Sequence, residues 1–401
     1  MRVVLSAAFG AGAFYYAEQL SKRGHLSRFL TSRPDAFRYR IDRSRIALNA
    51  GPEVLAQVSR RLSWLPSAAS GEYLKAQWFD RWASQRVGSC DVVVAFAAFG
   101  LNTLREARRR NAVAVLERGS AHIAMQRLLV DEECQRFGLR PEAGDTRLFE
   151  KQLLEYEETE YIAVPSRFAF DSYVNAGVAS SRLVCVPLGV DAERFRPGPK
   201  ADDVFRILIF GGGLRKGTPY LLEAFERLRL PNSELVIVGA ISGEMEPLLK
   251  RYHGLYRSIG RVPHRSLATC YRQGSVLVAP SIEDGWGLVV GEALACGLPV
   301  IVSRNTGAAD MVRDGSDGFI VPIRDVDSIA DRILTLYERK DLRQQMSHSA
   351  VERAAEYTWD RYGERIAGEY ARLVGQAVER GCVAASPCEP ERVRQTRSAA
   401  P

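Results

Sequence analysis

The chain has 401 residues, 46% hydrophobic and 26% charged, too long for one ordinary domain and enough for two packed ones. Seven scattered cysteines (Cys90, Cys134, Cys185, Cys270, Cys296, Cys382 and Cys388) form no CxxC pair, which argues against a disulfide framework or a zinc site, and no apolar run approaches the roughly 20 residues of a membrane span. The net charge of +7 is uneven: residues 1–130 hold 20 Lys and Arg against 9 Asp and Glu, residues 131–197 hold 8 against 13, and residues 198–401 hold 27 against 26.

The basic first third suits an anionic acceptor, an anionic lipid surface or nucleic acid, or is simply an arginine-rich surface. Arg2 followed by the mostly apolar residues 3–17 has the look of a signal peptide. However, a strand at 3–7, a glycine turn (Gly10, Gly12) and a helix at 14–23 account for the same residues. A strand at 91–96, a helix at 101–110 and a strand at 112–116 follow, the last running into Glu117-Arg118-Gly119. Residues 145–160 have a helical pattern, and 161–166 and 183–187 read as strands ending near prolines. Trp64, Trp78 and Trp82 lie among Arg60, Arg61, Lys75 and Arg81, which allows an interfacial patch, although core packing is the commoner fate of tryptophan.

A proline- and glycine-rich stretch at 195–200 is the expected domain boundary. Beyond it, strands are predicted at 206–210, 234–239, 276–279 and 299–302, and helices at 218–228 and 289–296. A further helical stretch at 347–374 should break near Thr358. Short β-branched runs between helices imply parallel sheets covered on both faces. The expected domains are 1–197, 198–375 and a disordered tail at 376–401, rich in Ala, Ser, Pro, Glu and Arg. Asp325-Val326-Asp327 reads as a helix start, not a metal motif.

Three segments carry chemistry. Gly211-Gly212-Gly213-Leu214-Arg215-Lys216-Gly217 sits between a strand and a helix. Its glycines allow close backbone approach, and its two cations add to a helix start that favours anions, as a diphosphate requires. It lacks Walker A spacing. The second segment, Pro280 to Val300, places Glu283, Asp284, Gly285 and Gly287 ahead of a helix that carries Glu292 one turn in. Carboxylates so placed can accept from the hydroxyls of a polyol. The third, Glu117 to His122, follows a first-half strand, and the carboxyl end of such a strand is where ligands gather.

Residues 280–303 resemble the signature of glycosyltransferase family 4, in which two glutamates with seven residues between them flank a Gly-Phe-Gly-Leu core. The stretches VPLGVDAERFRP, RKG, EALACGLPVIVS and NTGAADMVRDGSDGFIVPIRD fit the same family in order, from about residue 161 to 373. Here the first acidic position is Asp284, with Glu283 beside it, and Trp286 replaces the phenylalanine.

The resemblance implies a GT-B architecture of two Rossmann-like domains across a cleft, with the last helix packing back on the first domain. It also implies a retaining enzyme that transfers a hexose-type sugar from a nucleotide-diphosphate sugar to a glycan, lipid-linked or small-molecule acceptor. Gly212, Gly213, Arg215 and Lys216 would cradle the diphosphate. Glu292 would hold the ribose, Leu288 and Val289 would offer backbone amides, and Arg261 and Val262 would frame the base. Glu283 or Asp284 would meet the donor sugar, and His122 and Arg118 would serve the acceptor side. No cofactor or metal is expected, nor any specific nucleic acid. The expected location is cytoplasmic, with peripheral contact at an anionic inner membrane face. A sugar-nucleotide epimerase of the same fold and a basic membrane- or nucleic-acid-binding module are the alternatives.

Overall fold

The computed structural model describes residues 1–8, 10–61, 68–140 and 145–380. Trp64, Cys382, Cys388 and residues 381–401 lie outside them, as do the side chains of Arg60 and Arg61. The first half builds a seven-stranded sheet from β1 (Val3–Ala7), β2 (Leu26–Thr31), β3 (Ile46–Leu48), β4 (Val92–Phe96), β5 (Val113–Glu117), β6 (Tyr161–Val164) and β7 (Leu183–Cys185). The second builds a six-stranded sheet from β8 (Phe205–Gly212), β9 (Ser233–Ile241), β10 (Tyr256–Gly260), β11 (Val276–Ala279), β12 (Val300–Ser303) and β13 (Gly318–Val321). The orders are 3-2-1-4-5-6-7 and 10-9-8-11-12-13, and every pairing is parallel. These are two Rossmann-like sheets, and together they have the GT-B fold.

The central strands are buried on both faces, as their unbroken Val, Ile and Leu runs require. Side chains of β5 alternate between two cores, Val113 and Val115 on one side and Ala114 and Leu116 on the other. Glu117 is the last residue of that strand. It is 5% exposed, and one of its carboxylate oxygens has no hydrogen-bond partner.

The boundary stretch is not loose where it begins. Phe195 is buried against His264 and Tyr271, and Arg272 Nε donates to the Arg196 carbonyl. Helix Lys340–Ala355 ends, Thr358 caps the next helix by accepting from Arg361 N, and Trp359–Glu379 packs back into the core of the first sheet. That helix runs to Glu379, so residues 376–379 are helical and the expected tail boundary shifts. The chain crossings near residues 190 and 357 lie side by side. Val190 N donates to the Tyr357 carbonyl at 2.7 Å, and a Cβ on Gly189 would fall 2.3 Å from Trp359 N.

Asp325 opens helix Val326–Glu338 by accepting from Ser328 N at 2.9 Å, so the DxD stretch is a helix cap. Trp78 is 46% exposed, but Trp82 lies under Arg86 and beside Phe79. Lys75 is buried and paired with Glu53 at 3.1 Å, which removes it from any basic surface patch. Among the described residues no helix is long and apolar enough to cross a membrane.

Candidate functional site

The second sheet changes direction between β8 and β11, which lie adjacent while their successors run to opposite edges. Such a switch point opens a crevice at the carboxyl ends of the strands. Two loops form it, 211–217 after β8 and 280–287 after β11. They touch because Gly217 adopts a positive φ of 68°, and a Cβ there would lie 2.0 Å from the Pro280 carbonyl oxygen. Ile282 N donates to the Arg215 carbonyl at 2.9 Å, which fixes the register of the two loops.

Their side chains pair in turn. Lys216 Nζ lies 2.5 Å from Asp284 Oδ2, and Arg215 Nη1 donates to Glu283 Oε2 at 2.9 Å. Burial pushes the Asp284 carboxyl up, but Lys216 and Arg215 beside it prevail and hold it below the usual carboxylate range. Gly287, also left-handed, opens helix Leu288–Ala295 at the same crevice. Phe210, Lys216, Asp284, Gly287, Val289 and Thr306 line one recess there. Leu288 is half-buried and packs against the cores of both halves.

Around this centre, the Gly212 carbonyl accepts from Ser242 N, and a Cβ on Gly213 would stand 2.9 Å from Ser242 Oγ. Glu292, one turn into its helix, accepts from Tyr271 OH at 2.7 Å. Burial pushes its carboxyl up to about 7, although the Tyr271 hydroxyl opposes this. The Tyr271 ring stacks on Phe210 with centroids 4.5 Å apart. Val262 is half-buried in the same core, and Arg261 beside it is exposed. His264 Nε2 stands 4.0 Å from Glu292 Oε1, and its Nδ1 meets Arg194, which also donates to Tyr15 OH of the first half. Tyr15 OH donates to Asp191 at 2.8 Å.

The first-half residues are placed by β5 and by helix Ile123–Arg136, which follows it. His122 caps that helix. Its Nδ1 accepts from Ala124 N at 3.3 Å, its own N–H donates to Ser172 Oγ, and its ring sits between Tyr156 and Tyr173. Burial lowers its pKa and the Arg118 charge adds to this. Arg118 donates to Gln152 Oε1 at 2.7 Å and to Gln126 Oε1 at 2.9 Å. Glu283, wholly buried, accepts from Ala121 N at 3.0 Å and Gln126 Nε2 at 2.7 Å as well as from Arg215.

The two adjacent acids therefore face different ways. Asp284 lines the recess with Lys216, and Glu283 is turned toward the first half. The structure gathers Arg215, Lys216, Asp284, Leu288 and Val289 at one crevice. Arg118 joins it through Gln126, and His122 is held as a cap among aromatic rings. Sequence reasoning did not single out Gln126, Tyr271 or Tyr15. Gln126 lies one helical turn past His122, on a helix with too weak an apolar periodicity to be predicted. Among the described residues no group of His, Cys, Asp or Glu has the arrangement of a metal site.

Residues 205–339, which form this crevice, match the family model of the glycosyl transferases group 1. Among curated proteins, the chain is similar to the D-inositol 3-phosphate glycosyltransferase of Kribbella flavida. That match is 30% identical over 246 residues, covering 55% of this chain and 58% of that one. The enzyme of the same name from Mycobacteroides abscessus is 30% identical over 275 residues, covering 63% and 60%. The chain thus spans about three fifths of the length of these relatives. Among solved structures, sucrose-phosphate synthase from Thermosynechococcus elongatus superposes with a TM-score of 0.73 at 18% identity, over 94% of this chain and 100% of that one. Anabaena HepE in complex with UDP-glucose gives 0.65 at 16%, over 93% and 100%. The chain has the GT-B fold, and its residues 205–339 are similar to the domain of the glycosyl transferases group 1.

Proposed function

We propose that the protein is a retaining glycosyltransferase, of family 4 type, that moves a hexose-type sugar from a nucleotide-diphosphate sugar to an acceptor hydroxyl. The observation that carries this reading is the pair Arg215 and Lys216, held at the switch point beside the start of helix Leu288–Ala295. As the bond from the anomeric carbon to the phosphate oxygen breaks, negative charge grows on the departing diphosphate. Two fixed cations and the helix's free N–H groups stabilise that charge without reorganising. They supply the charge a divalent cation supplies elsewhere, so the reaction should need none. The acceptor oxygen bonds the same carbon from the side of the first half and gives its proton to the departing diphosphate; the basic surface of that half favours an anionic or lipid-linked acceptor.

Glu292 would accept from the ribose hydroxyls, with Tyr271 holding its other oxygen in position. Asp284 would contact the donor sugar and Lys216 the diphosphate. HepE, a structural neighbour, binds UDP-glucose, and a uridine nucleotide is the first donor to try here.

The test is a thermal-shift screen of the protein against UDP, GDP, ADP and their common sugar conjugates, repeated with Lys216→Ala. A nucleotide that stabilises the wild type and not the variant supports the donor cradle and identifies the base. If no nucleotide stabilises the wild type, the reading fails. Donor turnover without acceptor, giving an isomerised sugar nucleotide, would replace it with an epimerase.

A further inference from the structure

Helix Ile123–Arg136 belongs to the first half by chain order, yet Met125, Leu129, Val130 and Cys134 pack into the core of the second half. Two polar side chains seven residues apart, and so on one helix face, reach across the same seam. Glu133, wholly buried, accepts from Tyr220 OH at 2.6 Å and from Arg324 Nε at 2.5 Å. Gln126 reaches Glu283. The carboxylate of Glu283 therefore holds three donors: Ala121 N and Gln126 Nε2 from the first half, and Arg215 Nη1 from the diphosphate loop.

A buried carboxylate with a single cationic partner draws that cation into a two-pronged ion pair. Here neutral donors from the other half satisfy Glu283, and Arg215 engages it through Nη1 alone. The Arg215 side chain remains 38% exposed, and its hydrogen bonds among the described residues run through Nη1, which would leave Nε and Nη2 for a phosphate. Separating the halves would remove Ala121 and Gln126 from Glu283, leaving Arg215 to satisfy the carboxylate.

We propose that Glu283 is a positioning residue that couples closure of the two halves to the aim of Arg215. Gln126, on the acceptor side, thereby becomes a determinant of nucleoside-diphosphate affinity. The inference rests on the reading of Arg215 as a diphosphate ligand. It assigns Glu283 to an interdomain relay, Arg118–Gln126–Glu283–Arg215, rather than to the donor sugar.

The experiment is calorimetric titration of UDP, GDP and ADP into wild type, Gln126→Ala, Glu283→Gln and the double variant, with thermal unfolding of each recorded. Whichever nucleotide binds wild type should bind each single variant about tenfold more weakly. The double variant should bind no more weakly than the worse single one, because both substitutions break one relay. A purely structural role for these residues would lower the unfolding temperature and leave the nucleotide affinity of the folded protein unchanged. If Glu283→Gln does not fold, Gln126→Ala carries the test alone, since Gln126 is only part-buried at this contact. Wild-type affinity in Gln126→Ala, or losses that multiply in the double variant, would overturn the inference and leave the donor cradle standing. Failure of all three nucleotides to bind wild type would overturn both.

Discussion

The Lys216 ammonium and the Asp284 carboxylate meet at 2.5 Å across the crevice between β8 and β11, each contributed by the loop that follows its strand. The pair fixes a long, flexible cation at the point where a diphosphate would bind, so little of its freedom is left to lose on binding.

Lys216→Ala should therefore lower turnover at least 100-fold with the fold intact, the scale of loss when one fixed stabiliser of a developing oxyanion is removed. Steady-state kinetics with the donor found in the nucleotide screen, alongside circular dichroism, checks this. Turnover within threefold of wild type would remove Lys216 from the mechanism.

Gly285 tests closure directly. A Cβ there would lie 2.2 Å from the Gly119 carbonyl oxygen and 2.4 Å from Ser120 Cα, with Gly307 packed behind it against the Gly285 carbonyl. Gly285→Ala should wedge the halves apart, raising the radius of gyration in solution scattering and reducing turnover at least tenfold. An unchanged scattering profile with normal turnover would show that the loop gives way without cost.

Arg324→Met should leave the Glu133 carboxylate buried with only the Tyr220 hydroxyl. Breaking such a pair costs about 3–5 kcal/mol, to be read by urea denaturation. Glu133→Gln added to Arg324→Met should restore part of the loss, because the stranded charge is then gone.

Burial pushes the Glu117 carboxyl up to about 8, and burial pushes Glu155 and Glu292 up to about 7. Groups with raised folded pKa values bind protons more tightly when folded. Their contribution is complete below the unfolded value near 4.5 and is lost as pH rises through 7 and 8. Stability should fall between pH 5 and pH 8.5. Glu117→Gln should flatten that fall by about 2–5 kcal/mol, since each tenfold gain in proton affinity on folding is worth about 1.4 kcal/mol. Denaturant titrations of both proteins at the two pH values decide it.

Much of the second half was legible because its strands announce themselves. Val276–Ala279 is a β-branched run stopped by Pro280, and Thr218–Leu228 begins directly after Gly217. The region from residue 24 to 90 was not legible. Leu26–Thr31 mixes Ser and Arg into a strand whose neighbours only the sheet supplies, and Ile46–Leu48 is three residues long. At the site, Arg215, Lys216 and Asp284 could be read because each sits in a local strand–turn–helix unit. The opposite outlooks of Glu283 and Asp284 could not. They depend on Gln126, 157 residues away, and on a closure that no local pattern encodes. Similarly, His122 has the sequence position of a ligand residue, but its packing against Tyr156 and Tyr173 depends on the helices that carry those rings.

The chain crossings at Val190 and Tyr357 are bound to each other by a backbone hydrogen bond. A single crossing would let the halves swivel and twist independently. Two crossings laced side by side leave rotation about their common line as the cheap motion. Opening along that line would part Gly285 from Gly119, while helix Ile123–Arg136 is held in the second core by Leu129 and Cys134. A cleft pinned in this way would open along one line and would not widen evenly, so its contacts would be lost first at the end farthest from Val190 and Tyr357.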